Sequence, residues 1–498
     1  MVLLEATLVE STRDVEDVTT KIAEPKSPEH VASTVQTALI VEAKEVNVDD
    51  DSVVGIRKKS LWIAGAIFLF LLVGVGVVGG VVVGGEDDDD DDEDDGAVLT
   101  PTIAPDTLSP TGPASNRAIG SFRESLPPYT QKSLEDATSP QSSALSWLLS
   151  SADEDRYSDL RLVQRFVLAT LYFSTNGERW YDNDGWLSDA NECDWSTEAF
   201  DICTGQVYQY LILSERNLVG TLPKEIAMLT NLIELDLGTN QLRGSIPTEI
   251  ALLPNLEALW LYENRLGEAI PTELGTVSQL FILDLVENNL SGRVPDQLSQ
   301  LTLLTELWLN INRLSGPFPV WISTLPNLEF LYLSENRFEG RVPASLSNLV
   351  GLRVLELRAL GLTGTFPKEL WGSFTEIDYL DISQNQLKGN IGSEIGFLTV
   401  ADGFEIYANE FSGPIPTEIG LMQNVSYVDL SDNFLTGEIP SELALLENLE
   451  TLHLYDNLIV GAVPEQLCAR VTNDGLDLAV DCDFVQCDCA CDCLWSAR

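Results

Sequence analysis

From residue 208 to residue 464 one pattern returns eleven times: L-x-x-L-x-L-x-x-N-x-L-x-G-x-I-P, starting at positions 208, 232, 256, 280, 304, 328, 352, 377, 401, 425 and 449. The step is 24 residues except between 352 and 377, where it is 25. A period held this long leaves the chain little choice, because one unit cannot bury its own leucines while stacked units form a continuous core. Leu-x-Leu, as in Leu259 and Leu261, reads as a short strand whose leucines point inward and whose intervening residue points outward. Eleven strands at about 4.8 Å give a parallel sheet roughly 50 Å long. The expected fold is an α/β-type repeat solenoid, a right-handed coil with a parallel concave sheet.

The other repeated positions have physical tasks. Asn240, Asn264, Asn288, Asn312, Asn336, Asn385, Asn409, Asn433 and Asn457 follow the strand at a fixed offset. A buried amide there satisfies donors and acceptors of neighbouring backbones and forms a ladder. Gly and then Pro, as in "LRGSIP" at 242–247, allow a tight bend followed by an extended descent. The seventh unit places Leu360 where Asn is expected, and the longer step follows through "WGSFTE" at 371–376. Either a local kink that shapes a binding face or ordinary repeat drift accounts for this.

The outward position between the paired leucines reads Ile212, Asp236, Trp260, Asp284, Trp308, Tyr332, Glu356, Asp381, Glu405, Asp429 and His453. Aromatics gather in the third to sixth units, with Tyr262 beside Trp260, and the later units are mainly acidic. Rigid rings on a concave surface lose little entropy when covered by a partner, so Trp260, Tyr262, Asp284, Trp308 and Tyr332 are the expected ligand-binding residues. Stacking of neighbouring rings along the sheet is the plainer explanation of the same rings, and the two are compatible.

"LTNLIELDLGTNQLRGSIPTEI" resembles the plant-type leucine-rich repeats of receptor-like proteins and polygalacturonase-inhibiting proteins. "VLATLYFSTNGERWYDNDGWLSDANECDW", 167–195, resembles the N-terminal cap of those proteins, and the likeness runs from about 158 to 464. The resemblance implies a leucine-rich repeat fold, recognition rather than catalysis, and capped ends. Cys193 and Cys203, with Trp180, Trp186 and Trp195 nearby, fit a disulfide-stapled cap over 144–207, ahead of the repeats at 208–467. The closing segment 468–498 holds Cys468, Cys482, Cys487, Cys489, Cys491 and Cys493, which allow 15 pairings if all are oxidised. Soft-metal binding by closely spaced thiolates is the other reading of this cluster.

Upstream, residues 61–85 contain no charge and are long enough to cross a bilayer as a helix. Arg57, Lys58 and Lys59 precede this span and no Lys or Arg follows until Arg117. The expectation is an uncleaved signal anchor with a cytosolic tail at 1–60 and the repeats outside, at the plasma membrane. The tail is polar and lacks apolar periodicity, so it is expected to be disordered and to signal, if at all, through a cytosolic adaptor. Gly76, Gly80 and Gly84 permit close helix approach and a homodimer, although a Gly/Val-rich span without a partner reads equally well. The ten acidic residues at 86–95 and the Pro, Ser and Thr beyond them read as an extended stalk over 86–143. That layout departs from plant receptors and is more similar to single-pass repeat proteins of microalgae. Asn289 and Asn424 open glycosylation sequons.

A net charge of −50, from 78 acidic and 28 basic residues, argues against nucleic acid as a partner. With only His30 and His453 in the chain, neither a histidine-based metal centre nor a Ser-His-Asp arrangement is expected, and no cofactor is implied. The expected function is recognition of an extracellular or lumenal peptide, protein or glycan on the concave face, without catalysis. A structural or adhesive role in a wall or matrix, or inhibition of an enzyme, are the other readings.

Overall fold

In a computed structural model of the chain, the described residues are 119–150, 157–195 and 202–493. They belong to the compact unit Leu108–Arg498. The expected tail, membrane span, Gly76, Gly80, Gly84 and acidic run lie outside the described residues. Among the described residues no helix is long and apolar enough to cross a membrane.

Each of the eleven repeats contributes one three-residue strand, from Tyr210–Ile212 to Thr451–His453, to a single parallel sheet. Leu211, Leu235, Leu259, Leu283 and Leu307 pair in register across successive strands and are fully buried. Fixed register follows from the pattern, since a slip by one residue would turn every leucine outward. Two further strands, Asp477–Val480 and Asp492–Cys493, extend the sheet to 13. Short 3-10 turns such as Thr248–Leu252 return the chain along the opposite side.

The asparagine ladder has the expected chemistry. Asn240 Nδ2 donates to the carbonyls of Leu213, Leu237 and Gly238 at 2.8, 3.0 and 2.9 Å, and its Oδ1 accepts the N–H of Leu218 at 2.8 Å. One amide thus closes its own turn and ties it to the preceding one. The residue just before each asparagine is left-handed without being glycine, as at Thr239, Glu263 and Glu287 with φ of 49°, 48° and 50°. Such a conformation is costly for a side-chain-bearing residue and persists where surrounding bonds hold it.

The irregular seventh repeat does not kink the concave side. Val354–Glu356 and Tyr379–Asp381 pair residue for residue. The extra residue is taken up on the far side, where an α-helical turn, Lys368–Ser373, replaces the usual 3-10 turn. An α-turn holds 3.6 residues against 3.0, which is room for the insertion. The missing amide at Leu360 is covered by Asn385, whose Oδ1 accepts from both Leu360 and Leu362 N–H at 3.2 and 3.0 Å.

Among the described residues four α-helices precede the repeats: α1 (Ile119–Ser125), α2 (Pro128–Ser133), α3 (Pro140–Ser150) and α4 (Asp159–Ser174). The segment 119–143, expected to be extended stalk, is therefore largely helical. Its prolines open α2 and α3, the one helical position where the missing N–H costs nothing. Leu126, Leu134, Leu145 and Leu148 pack with Phe166 of α4. Thr130 and Gln141 donate to the two oxygens of buried Glu225, tying this layer to the first repeat. Trp180, Trp186 and Trp195 are buried in the cap, and Cys193 is bonded to Cys203. Arg165 is fully buried over the Trp195 and Trp147 rings and paired with Glu192, a contact not read from the sequence. At the other end the six cysteines pair as Cys468–Cys489, Cys482–Cys493 and Cys487–Cys491.

Candidate functional site

The concave face is a grid in which strands form rows and every second residue forms a column. Because rows are one strand apart, residues 24 positions apart in sequence become immediate neighbours. Trp260 and Trp308 both lie in register with Asp284, on either side of it, and Trp308 is next to Tyr332.

Trp260, Tyr262, Trp308 and Tyr332 are half-buried, neither sealed in the core nor standing free. Trp308 and Tyr332 stack with centroids 4.0 Å apart and planes 21° apart. Trp308 Nε1 donates to Glu306 Oε2 at 3.0 Å, which fixes the indole. Trp260 meets Tyr262 edge to face at 6.4 Å. Tyr262 reaches across to the preceding repeat at Gly238, where a Cβ would stand 2.3 Å from its ring. Glycine is required there by the tyrosine's path. Stacking and partial exposure occur together, so the rings form a pre-organised platform.

Asp284 departs from expectation. It was placed on the open face with the rings, yet only 6% of it is exposed. Its short side chain stands in register with Trp260 and Trp308 of the adjacent rows. Burial raises its pKa to about 8; the backbone N–H of Val286 opposes this, and Glu306, Asp236 and Glu263 add to it. Glu234 is raised to about 7 by burial and then by Asp236. Asp381 and Asp429, also read as facing solvent, are buried too.

The later rows, mainly acidic in sequence, hold a second cluster. Tyr379 crosses Gly403, where a Cβ would lie 2.4 Å from its ring, and donates to Glu405. Ser383 and Ser431 hold Asp381 and Asp429 by both backbone N–H and hydroxyl. His453 Nδ1 lies 3.5 Å from Asp429 Oδ2, and this contact outweighs burial in raising the imidazole pKa. Arg358 is bonded to Glu335 and Gln384. The tyrosine spacing was visible in the sequence, but its partners lie in other repeats.

Asn424 is exposed and Asn289 is half-buried with its N–H bonded to Leu266 carbonyl at 2.7 Å. The first presents its amide to a modifying enzyme far more readily.

The leucine rich repeat family profile matches residues 302–359, and single repeats match at 231–253 and 424–446. No curated protein matches the chain. Among solved structures, the Arabidopsis receptor kinase HAESA in complex with the peptide hormone IDA and the co-receptor SERK1 is 30% identical, with a TM-score of 0.57 over 65% of this chain and 53% of that one. PEPR1 with AtPEP1 is 28% identical, TM-score 0.54, over 61% and 46%. A TDR receptor is 27% identical, TM-score 0.50, over 60% and 55%. This chain spans about half the length of those chains. The solenoid is a leucine-rich repeat domain of the plant receptor-like type.

Proposed function

We propose that the repeat domain is a receptor-like recognition module that binds a peptide or protein segment across the third to sixth repeats, on Trp260, Tyr262, Trp308 and Tyr332, and carries out no chemistry itself. The observation that carries this reading is the fixed, half-open aromatic platform on the concave sheet: Trp308 is held by both Tyr332 and Glu306. Rings immobilised before binding lose little entropy on contact. The likeness to HAESA, whose structure is described in complex with the peptide hormone IDA, supports a peptide over a glycan. Display outside the cytosol on the anchor at 61–85, with glycan at Asn424, belongs to the same proposal.

The test is capture of a peptide library by the full chain and by its Trp260→Ala/Trp308→Ala double variant. Loss of roughly hundredfold or more in affinity is expected, because buried aromatic anchors each carry about 2 kcal/mol or more. Unaltered capture by the double variant, with its circular dichroism intact, sinks the reading.

A further inference from the structure

Four repeats place aspartate between the paired leucines, and three supply it with a serine hydroxyl. Ser214 donates to Asp236 Oδ2 at 2.9 Å, Ser383 to Asp381 Oδ1 at 2.5 Å and Ser431 to Asp429 Oδ1 at 2.6 Å. The fourth has valine where Ser383 and Ser431 stand. Asp284 therefore receives the backbone N–H of Val286 on Oδ1, at 3.0 Å, without the hydroxyl that Asp381 and Asp429 receive on the same oxygen. Among the described residues no Lys or Arg pairs with it, and the charged groups acting on it, Glu306, Asp236 and Glu263, are all acidic. A carboxyl only 6% exposed, without a counter-charge, is a costly arrangement for a fold to keep. Close by, the side-chain oxygen of Asn310, two residues beyond Trp308, is buried and also lacks a donor. Two indoles flank this donor-poor slot.

We infer that the slot between Trp260 and Trp308 receives the guanidinium or ammonium group of a bound peptide segment, with Asp284 as its counter-ion and the two indoles as its walls. The inference rests on the concave binding reading and specifies its ligand class. A cationic head brings donors only, which suits acceptors that have none, and it is attracted to both the carboxylate and the aromatic faces. A neutral sugar would bring as many acceptors as donors, and the slot has little to offer them.

The experiment compares two nine-residue peptide libraries with randomised flanks, one with a central arginine and one with the neutral isostere citrulline. Both are titrated against the full chain and followed by indole fluorescence. Wild type is expected to prefer arginine at least tenfold. Asp284→Asn, which keeps an oxygen for Val286, is expected to lose that preference while retaining citrulline-level binding. Val286→Ser, which hands the carboxyl a hydroxyl, is expected to reduce the preference and serves if Asp284→Asn fails to fold. Equal binding of both libraries by wild type, or an undiminished preference in a folded Asp284→Asn variant, overturns the inference and leaves concave binding intact. Binding of neither library, or binding of neutral oligosaccharides instead, overturns both.

Discussion

The two halves of the concave face share one backbone and differ in how their polar groups are satisfied. In the later repeats each acid meets a partner within the protein: Asp381 has Ser383, Asp429 has Ser431 and His453, and Glu405 has the Tyr379 hydroxyl. In the third to sixth repeats the rings satisfy one another, while Asp284 has a backbone N–H but no hydroxyl donor. A surface whose acids already carry hydroxyl or histidine partners gains little from a ligand. One whose buried carboxyl has neither a hydroxyl donor nor a counter-charge, in the row between fixed rings, has more to gain, and this is why the aromatic half is assigned the recognition role.

The largest expected effect probes the ladder beneath both halves. Asn385 serves two N–H donors and donates to three carbonyls, whereas Asn312 serves one N–H. Asn385→Ala should cost about 3 kcal/mol in urea unfolding and Asn312→Ala about 2, since each buried group left unpaired is expensive. Equal losses would show that the seventh repeat does not depend on the shared amide.

The next effect is a pH dependence, largest in the aromatic half. Asp284 has a folded pKa raised to about 8, so between the ordinary carboxyl range and pH 8 the folded state holds a proton that the unfolded chain has released. Stability therefore falls as pH rises through that window. Asp284→Asn should flatten this part of the profile. His453 acts with the same sign over a different range: its raised pKa contributes stability that is present at low pH and lost as pH rises through the folded value. His453→Gln should remove that part alone, as thermal melts across pH would record.

A transplant between halves comes third. Val286→Ser gives Asp284 the hydroxyl its counterparts have and should stabilise the fold at pH 8 by about 1 kcal/mol. A carboxyl carbon titration followed by NMR should move down from about 8. The smallest effect is a control: Tyr427→Phe, in the later repeats, should change peptide affinity by less than about 0.5 kcal/mol. A larger loss would move the binding surface toward the C-terminal end.

Much of this architecture is written in the period. Leu259 and Leu261 inside, Trp260 outside and the asparagine at each turn follow from alternation and spacing alone. The neighbours of Asp284 were also accessible, because a 24-residue step sets Trp260 and Trp308 beside it; its burial, shared by Asp381 and Asp429, belongs to a short side chain at that position of the sheet. Other features depend on distant parts of the chain. The prolines and serines of 128–143 have linker composition, and it is the packing of Leu126, Leu145 and Leu148 on Phe166, with the bonds of Thr130 and Gln141 to Glu225, that makes that stretch part of the domain. The pairing of six closely spaced cysteines is fixed by the folded cap, since spacing alone admits every combination. The serine that completes Asp236 comes from the preceding repeat, so no local motif announces it.

The extra residue near Trp371 carries a lesson for altering this molecule. Length added on the back of the coil is absorbed there, while the strands opposite keep their alignment. The two sides are thus decoupled: the rear can accept insertions, tags or attachment loops, whereas lengthening a front strand by one residue would invert its lining. Cargo grafted at the exposed Thr375 and Glu376, beside the buried Trp371 and Phe374, should leave recognition undisturbed.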